Sequence, residues 1–256
     1  MLARIHMRYV CSVDTAGLAA ESGREKALTA ARLAMAAIAL LWRSPSSALQ
    51  DMNLIYDRRL HSQKVLTFVP GRRVLAGFKL SHRPCGPWIK DGDWEKMFAE
   101  VGDRFAVVGQ VLSYIIHPAH QVSTPSMTST LEQALLWFHE ACREQVPLFA
   151  VVKYAASLDA LACGKKERGI TQLINVRLGI TNTASIQISG LTLQQAIKDI
   201  YADGRSRTMH GSNARLGHDW TGTRNIAEQL ARLSLNACFD WVAKNPTCNE
   251  PLRLPK

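Results

Sequence analysis

The chain has 256 residues and six cysteines, yet no CxxC pair. The spacing of Cys11, Cys85, Cys142, Cys163, Cys238 and Cys248 does not fit a zinc module. Cys142, Cys163 and Cys238 fall in apolar helical patterns, where cysteine behaves as a small hydrophobe. Free thiols of that kind fit a reducing cytoplasm. Long hydrophobic runs are also missing. The most apolar stretch, ALTAARLAMAAIALLW from Ala27 to Trp42, carries Arg32 and falls short of the roughly 20 residues that cross a bilayer. It reads as a buried helix, and no membrane association is expected. The opening MLARIHMRYVCSVDT lacks the apolar segment of a secretory signal. There is no internal repeat and no low-complexity tract. The basic residues are spread along the chain without a long tract.

What is present is an ordinary globular composition, 47% hydrophobic and 20% charged. The length suits one large domain or two modest ones, with a real core. The formal net charge is +10, and the isoelectric point is about 9.6. Such a field favours a polyanion, nucleic acid being the commonest. A basic protein with no such partner is the plainer alternative.

Alternation of Ile5, Met7, Tyr9, Cys11 and Val13 with polar residues predicts a strand. A chain that begins directly in a strand fits a fragment of a longer relative or a naturally short form. A helix follows over about Glu25 to Trp42 and stops at SPSS. DMNLIYDRRL is compatible with helix or strand. KVLTFVP and RRVLAGFKL, joined at Pro70-Gly71, predict a hairpin. Trp94 to Ile116 predicts a helix with a break near Gly109. These elements make a small α+β module over residues 1–122. The polar, Pro-containing segment His117 to Thr130 reads as the boundary. His117 and His120 lie in it, three residues apart and without an acidic or cysteine companion, so a solvated linker is favoured over a metal site. No metal and no cofactor is expected.

Residues 129–246 predict a bundle of five helices, making the chain mainly α. The first opens with Ser129-x-x-Glu132 in capping-box spacing. The second runs from Pro147 towards Gly164, with Leu148, Val151, Val152, Ala155, Leu158 and Leu161 at helical spacing. The third is ERGITQLINVRLGI. The fourth is LTLQQAIKDIYADG, opened by Thr192-x-x-Gln195. The fifth places Ile226, Leu230, Leu233, Ala237 and Trp241 on one face. Residues 247–256 read as a tail.

The chemistry-bearing stretch is YADGRSRTMHGSNARLGH, Tyr201 to His218. Arginine stays protonated and presents a planar fork of donors suited to phosphate. Histidine exchanges a proton near neutral pH. Arg205 and His210 are thus a minimal kit for RNA cleavage without metal: the base takes the 2′-hydroxyl proton and the arginine steadies the transition-state charge. Ser206 supplies a hydroxyl beside them. At ~100° per residue, positions five apart sit ~140° apart around a helix, so one straight helix does not put the pair on one face. Gly204 and Gly211 flank the motif and allow a non-ideal turn. The alternative is a helix start carrying solvated charges.

The run IYADGRSRTMHGS resembles the R-x4–6-H signature of HEPN domains, and in particular the Apea-like branch, with Tyr201, Arg205, Ser206, His210 and Gly211 at its motif positions. Upstream, SLDALACGKKERGITQLINVRLGIT is similar to that branch's preceding helices, with Asp159 and Arg177 at matching positions. The resemblance covers roughly Thr130 to Lys244. It implies a metal-independent endoribonuclease that leaves a 2′,3′-cyclic phosphate. It also implies a homodimer whose two motifs form one composite active site, and a toxin or anti-phage defence role in the cytoplasm, with an antitoxin or other defence subunit as a further partner. The family also contains inactive members, so an RNA- or protein-binding scaffold is the alternative.

Around the motif, Asp159 is expected either to orient Arg205 through a charge-assisted bond or to be an ordinary exposed acid. Tyr201 is expected to pack beneath the motif rather than stack on a base. Arg207 and Arg215 would either extend a positive cleft towards neighbouring phosphates or be solvated surface charges. His218 reads as loop, and His139 as a packed or surface histidine.

Overall fold

The computed structural model describes residues 11–51, 54, 62–69, 72–80, 92–117, 122–186 and 190–256, with the backbone alone for 51, 62–69 and 72–80. The described chain is mainly helical. In order come α1 (Ala20–Ala39), α2 (Pro45–Asp51), β1 (Ser62–Val69), β2 (Arg72–Leu80), α3 (Asp93–Ile116), α4 (Pro125–Cys142), α5 (Pro147–Leu161) and α6 (Lys166–Leu178). Then follow α7 (Leu193–Ile197), a π-helix (Lys198–Ser206), α8 (Arg207–Met209), α9 (Thr221–Lys244) and a 3₁₀ turn (Pro251–Arg253). The strands pair antiparallel in a two-stranded sheet, from Ser62 opposite Leu80 to Val69 opposite Arg72. The expected hairpin therefore forms, while the strand expected over Ile5 to Val13 lies mostly outside the described residues, as do most of DMNLIYDRRL and His120.

A separate N-terminal α+β module is not supported. One buried cluster runs from Leu33, Ala36 and Leu40 of α1 through Val107 and Val111 of α3 to Met127, Phe138, Tyr154, Leu235 and Phe239 of the bundle. The physical reason is the apolar stripe of α1 itself. Its alanines let helices approach closely, and the nearest apolar surface is α3 and α4. Polar clamps fix the docking. Arg104 of α3 donates both Nε and Nη2 to the Asp240 carboxylate of α9, at 2.8 Å each, and Nη1 to Asn236 at 3.0 Å. Lys26 of α1 donates to the Ile116 carbonyl at the end of α3. Buried Glu228 of α9 accepts from the Ser46 backbone N–H (2.8 Å) and hydroxyl (3.0 Å), so it caps α2 from a distance.

Local signals fail where tertiary partners replace them. Gly109 does not break α3, which is continuous. Ser129 and Glu132 lie inside α4, which starts four residues earlier, with Pro125 in its first turn. The Thr124 side chain makes no cap. Instead, Asn249 accepts from the N–H groups of Ser126 (2.7 Å) and Met127 (3.2 Å), two of the donors a helix start leaves unpaired. The C-terminal segment is thus not a loose tail. Leu254 is fully buried, and Arg177 of α6 donates to the Leu254 and Arg253 carbonyls while its guanidinium lies 4.5 Å from the Trp241 ring centroid. Asn249→Ala is expected to cost about 1 kcal/mol, the usual value of an N-cap. Chemical denaturation, followed by helical circular dichroism, measures it. An unchanged midpoint would count against the cap.

Buried cysteines behave as packing groups. Burial pushes the thiol of Cys238 up to about 12 and that of Cys142 higher still, and Cys142 receives the Tyr154 hydroxyl at 3.4 Å. Cys163 differs from expectation. It sits just beyond α5 with φ 55°, half-buried in the turn that ends the helix. Leu233 also departs from the expected face of α9 and is exposed.

Candidate functional site

The motif begins on a well-made helix start. The Thr192 hydroxyl accepts from the Gln195 N–H, and the Gln195 side chain accepts from the Thr192 N–H, completing the predicted capping box. After α7 the backbone widens into the π-helix from Lys198 to Ser206. A π-helix closes hydrogen bonds from i to i+5, is rare, and favours functional sites. The Arg207 N–H bonding the Ala202 carbonyl is one such bond. The helix buries Ile200, Tyr201, Asp203 and Gly204, chiefly against α5.

The spacing difficulty between Arg205 and His210 therefore takes a specific form. Arg205 is the penultimate residue of the π-helix, while His210 caps the following α8. Beyond His210 the chain turns off in a Schellman arrangement. Gly211 has φ 68°, its N–H bonds the Thr208 carbonyl, and the Ser212 N–H bonds the Arg207 carbonyl. The glycine after the histidine is thus the residue that ends the helix. The ring of His210 is left exposed, and among the described residues no hydrogen bond joins it to Arg205. Ser206 contributes its carbonyl, which accepts the His210 backbone N–H at 3.0 Å.

Arg205 is held, not free. Its Nη1 donates to the Tyr201 hydroxyl at 2.9 Å, its guanidinium stands 5.0 Å from the Tyr201 ring centroid, and its Nη2 is 3.5 Å from Asp159 Oδ2. Of the two readings of Asp159, the orienting one matches this geometry. The same carboxylate also accepts the Lys166 N–H at 2.9 Å, tying the end of α5 to the start of α6. Tyr201 is buried beneath the arginine. Burial and the neighbouring Asp159 charge push its phenol above the ordinary range, so it stays protonated as a hydrogen-bonding strut.

Arg207 and Arg215 meet a residue that sequence reasoning missed. Asp203, nearly buried, lies 3.0 Å from Arg207 Nη1 and 3.6 Å from Arg215 Nη1. The cleft charge expected of these two arginines is therefore partly answered by an acid. Asp203 stands four residues before Arg207, the spacing of a helical ion pair, and that was the available signal. Buried Asn213 had none. It donates to the Asp203 carbonyl and the Thr208 hydroxyl and accepts from the Arg215 N–H, fixing the loop. Trp220 donates its indole N–H to the Arg215 carbonyl, and the Arg215 guanidinium lies 5.3 Å from its ring centroid. Arg215 Nη2 is 3.1 Å from His218 Nε2. His139, by contrast, is packed in the core of α4 beside Glu140.

Asp199 sits four residues before Asp203. Burial, and then the Asp203 charge, raise its carboxyl above the usual range. A carboxylate raised on folding binds its proton better in the folded state, so it costs stability once pH rises through its folded value. Asp199→Asn is expected to raise the melting temperature at pH 7 by roughly 1–2 °C, within the range of a half-exposed substitution. The gain should vanish below about pH 4, where both states carry the proton. A gain that persists at low pH would point to a non-electrostatic origin.

Two cavities lie elsewhere. One of about 250 Å³ is lined by Asp103, Val107, Gln110, Val242 and Pro246, the other of about 330 Å³ by Arg43, Ser44, Asn225, Glu228 and Gln229. Among the described residues no group of three His, Cys, Asp or Glu side chains is gathered as metal ligands, and no single helix is long and apolar enough to cross a membrane. No family model, curated protein or solved structure matches the chain.

Proposed function

We propose that this protein is a metal-independent endoribonuclease of the HEPN type, acting as a toxin or anti-phage defence effector. The observation that carries the reading is the preset Arg205. A half-buried guanidinium braced by Tyr201 and Asp159 stands one helical turn before an exposed histidine on a glycine-terminated cap. His210 takes the proton from a 2′-hydroxyl. The 2′-oxygen attacks the adjacent phosphorus, and the bond to the 5′-oxygen breaks. The 5′-oxygen leaves as a hydroxyl with a proton from a second acid, and a 2′,3′-cyclic phosphate remains. Arg205 stabilises the added charge on the phosphate in the transition state.

The second acid is His210 of another copy in a homodimer. Apolar surface supports that placement: Met209 and Leu216, each 67% exposed, flank the histidine in sequence. The test is incubation of purified protein with tRNA, mRNA and single-stranded DNA in EDTA, with analysis of the new ends. Cyclic phosphate on RNA fragments is expected, and DNA should survive. RNA left intact, or ends carrying a 3′-hydroxyl, would sink the reading.

A second reading is an inactive RNA- or protein-binding scaffold. The pairing of Arg207 and Arg215 with Asp203 favours it, because these charges then serve the fold. It predicts salt-sensitive binding without cleavage, unchanged by His210→Ala.

A further inference from the structure

The basic residues form no unbroken tract, yet they are unevenly placed. From Arg58 to Lys90 the sequence has eight Lys and Arg and no Asp or Glu, so about one eighth of the chain carries +8 of the net +10. Within that span the β1–β2 hairpin contributes Lys64, Arg72, Arg73 and Lys79.

The register sorts these cations. Lys64 is opposite Phe78, and Phe68 is opposite Arg73. Lys64 and Phe68 are four apart on β1, so both pairs share one face at ~13 Å separation. On β2, Arg73 and Phe78 are five apart, which in a regular strand puts them on opposite faces. The irregularity between Val65 and Leu66 changes that. Val65 pairs with Gly77 and Leu66 with Leu75, leaving Ala76 as the extra residue of a bulge. Bulges re-aim positions in this way. Two cation–aromatic pairs thus lie on one face, while Lys79 opposite Gln63 and Arg72 opposite Val69 lie on the other.

We infer that the β1–β2 hairpin is a binding ribbon for single-stranded RNA. Cations track the phosphates, and aromatic rings offer platforms to unpaired bases, a combination that suits single strands because paired bases hide their faces. The choice of RNA rests on the proposed cleavage, but ribbon binding is measurable without it.

The experiment is fluorescence anisotropy of a labelled single-stranded RNA on the full chain carrying His210→Ala. The same chain is compared after adding Lys64→Gln, Arg72→Gln, Arg73→Gln and Lys79→Gln together, and separately after Phe68→Leu with Phe78→Leu. The fourfold variant should lose affinity at least tenfold. Its log–log salt slope should shrink by up to about 3, at about 0.7 for each phosphate no longer neutralised. The Phe→Leu pair should lose fivefold or more, with the helical circular dichroism unchanged. Where the fourfold variant does not fold, Arg73→Gln alone is measured, with a loss of threefold or more expected. Unchanged affinity in a folded variant overturns the inference, as does a preference for duplex RNA or anionic vesicles. RNA bound through the ribbon but left uncut by the wild type would sink the cleavage reading and leave this one standing.

Discussion

His210→Ala is expected to reduce RNA cleavage by 10²–10⁴-fold, the usual contribution of a positioned acid–base group, while leaving the fold intact. The structure explains why these effects separate. The His210 ring is exposed and makes no hydrogen bond or ion pair among the described residues, and its structural role is a backbone role, the cap of α8. Arg205→Lys should fail almost as badly, because an ammonium cannot keep the Tyr201 and Asp159 contacts and still present a planar fork. Asp159→Asn then gives a readout that a purely structural role would not. It leaves a neutral acceptor beside the guanidinium, so cleavage should fall by a smaller factor than with Arg205→Ala while salt sensitivity changes. Initial rates on a defined RNA, with melting temperatures measured in parallel, decide the matter. Equal rates for wild type and His210→Ala would end the catalytic assignment.

Gly204→Ala is expected to be the most destabilising single change in the motif. In most helix positions this substitution stabilises by up to about 1 kcal/mol, because glycine loses more backbone freedom on folding. Here packing reverses the sign. A Cβ on Gly204 would stand 2.6 Å from Val151 Cγ1 and 3.1 Å from the Asp199 carbonyl. Val151 is fully buried and β-branched, with little rotamer freedom to yield. Overpacking of this kind costs about 1–3 kcal/mol or more. In a chain of this size each kcal/mol lowers the melting temperature by about 2–4 °C. Gly109→Ala provides the control: it lies within α3 with nothing in reach of a Cβ, and should stabilise. Adding Val151→Ala to Gly204→Ala should recover part of the deficit, the Asp199 clash remaining. Were Gly204→Ala to melt like wild type, the close approach of the π-helix to α5 would be wrong.

Much of the bundle is legible in the sequence. Periodicity marks α5, α6 and α9 because each has an apolar face set by near neighbours in sequence, and the Thr192–Gln195 box is visible because its partners are three residues apart. The hairpin is legible from its two β-branched runs. The start of α4 is not, since its cap comes from Asn249, far along the chain. The packing of the last residues is hidden for the same reason. Arg205, His210, Tyr201 and Asp159 stand out from the sequence, whereas Asp203 is legible only through its i,i+4 spacing to Arg207, because its second arginine, Arg215, closes on it only in the folded chain.

The sequence by itself determined the helical content, the types of chemistry available and the glycines at which the chain can turn or approach closely. Only the tertiary structure decided which charges are neutralised within the fold. Asp159 reaches Arg205, and Asp203 reaches Arg215, because α5, the π-helix and the 212–220 loop pack together. Such pairs depend on separations in space that no local pattern encodes. The same holds for the N-terminal helices. Their apolar stripe announces burial, but the surface that buries it belongs to a bundle formed by residues far along the chain.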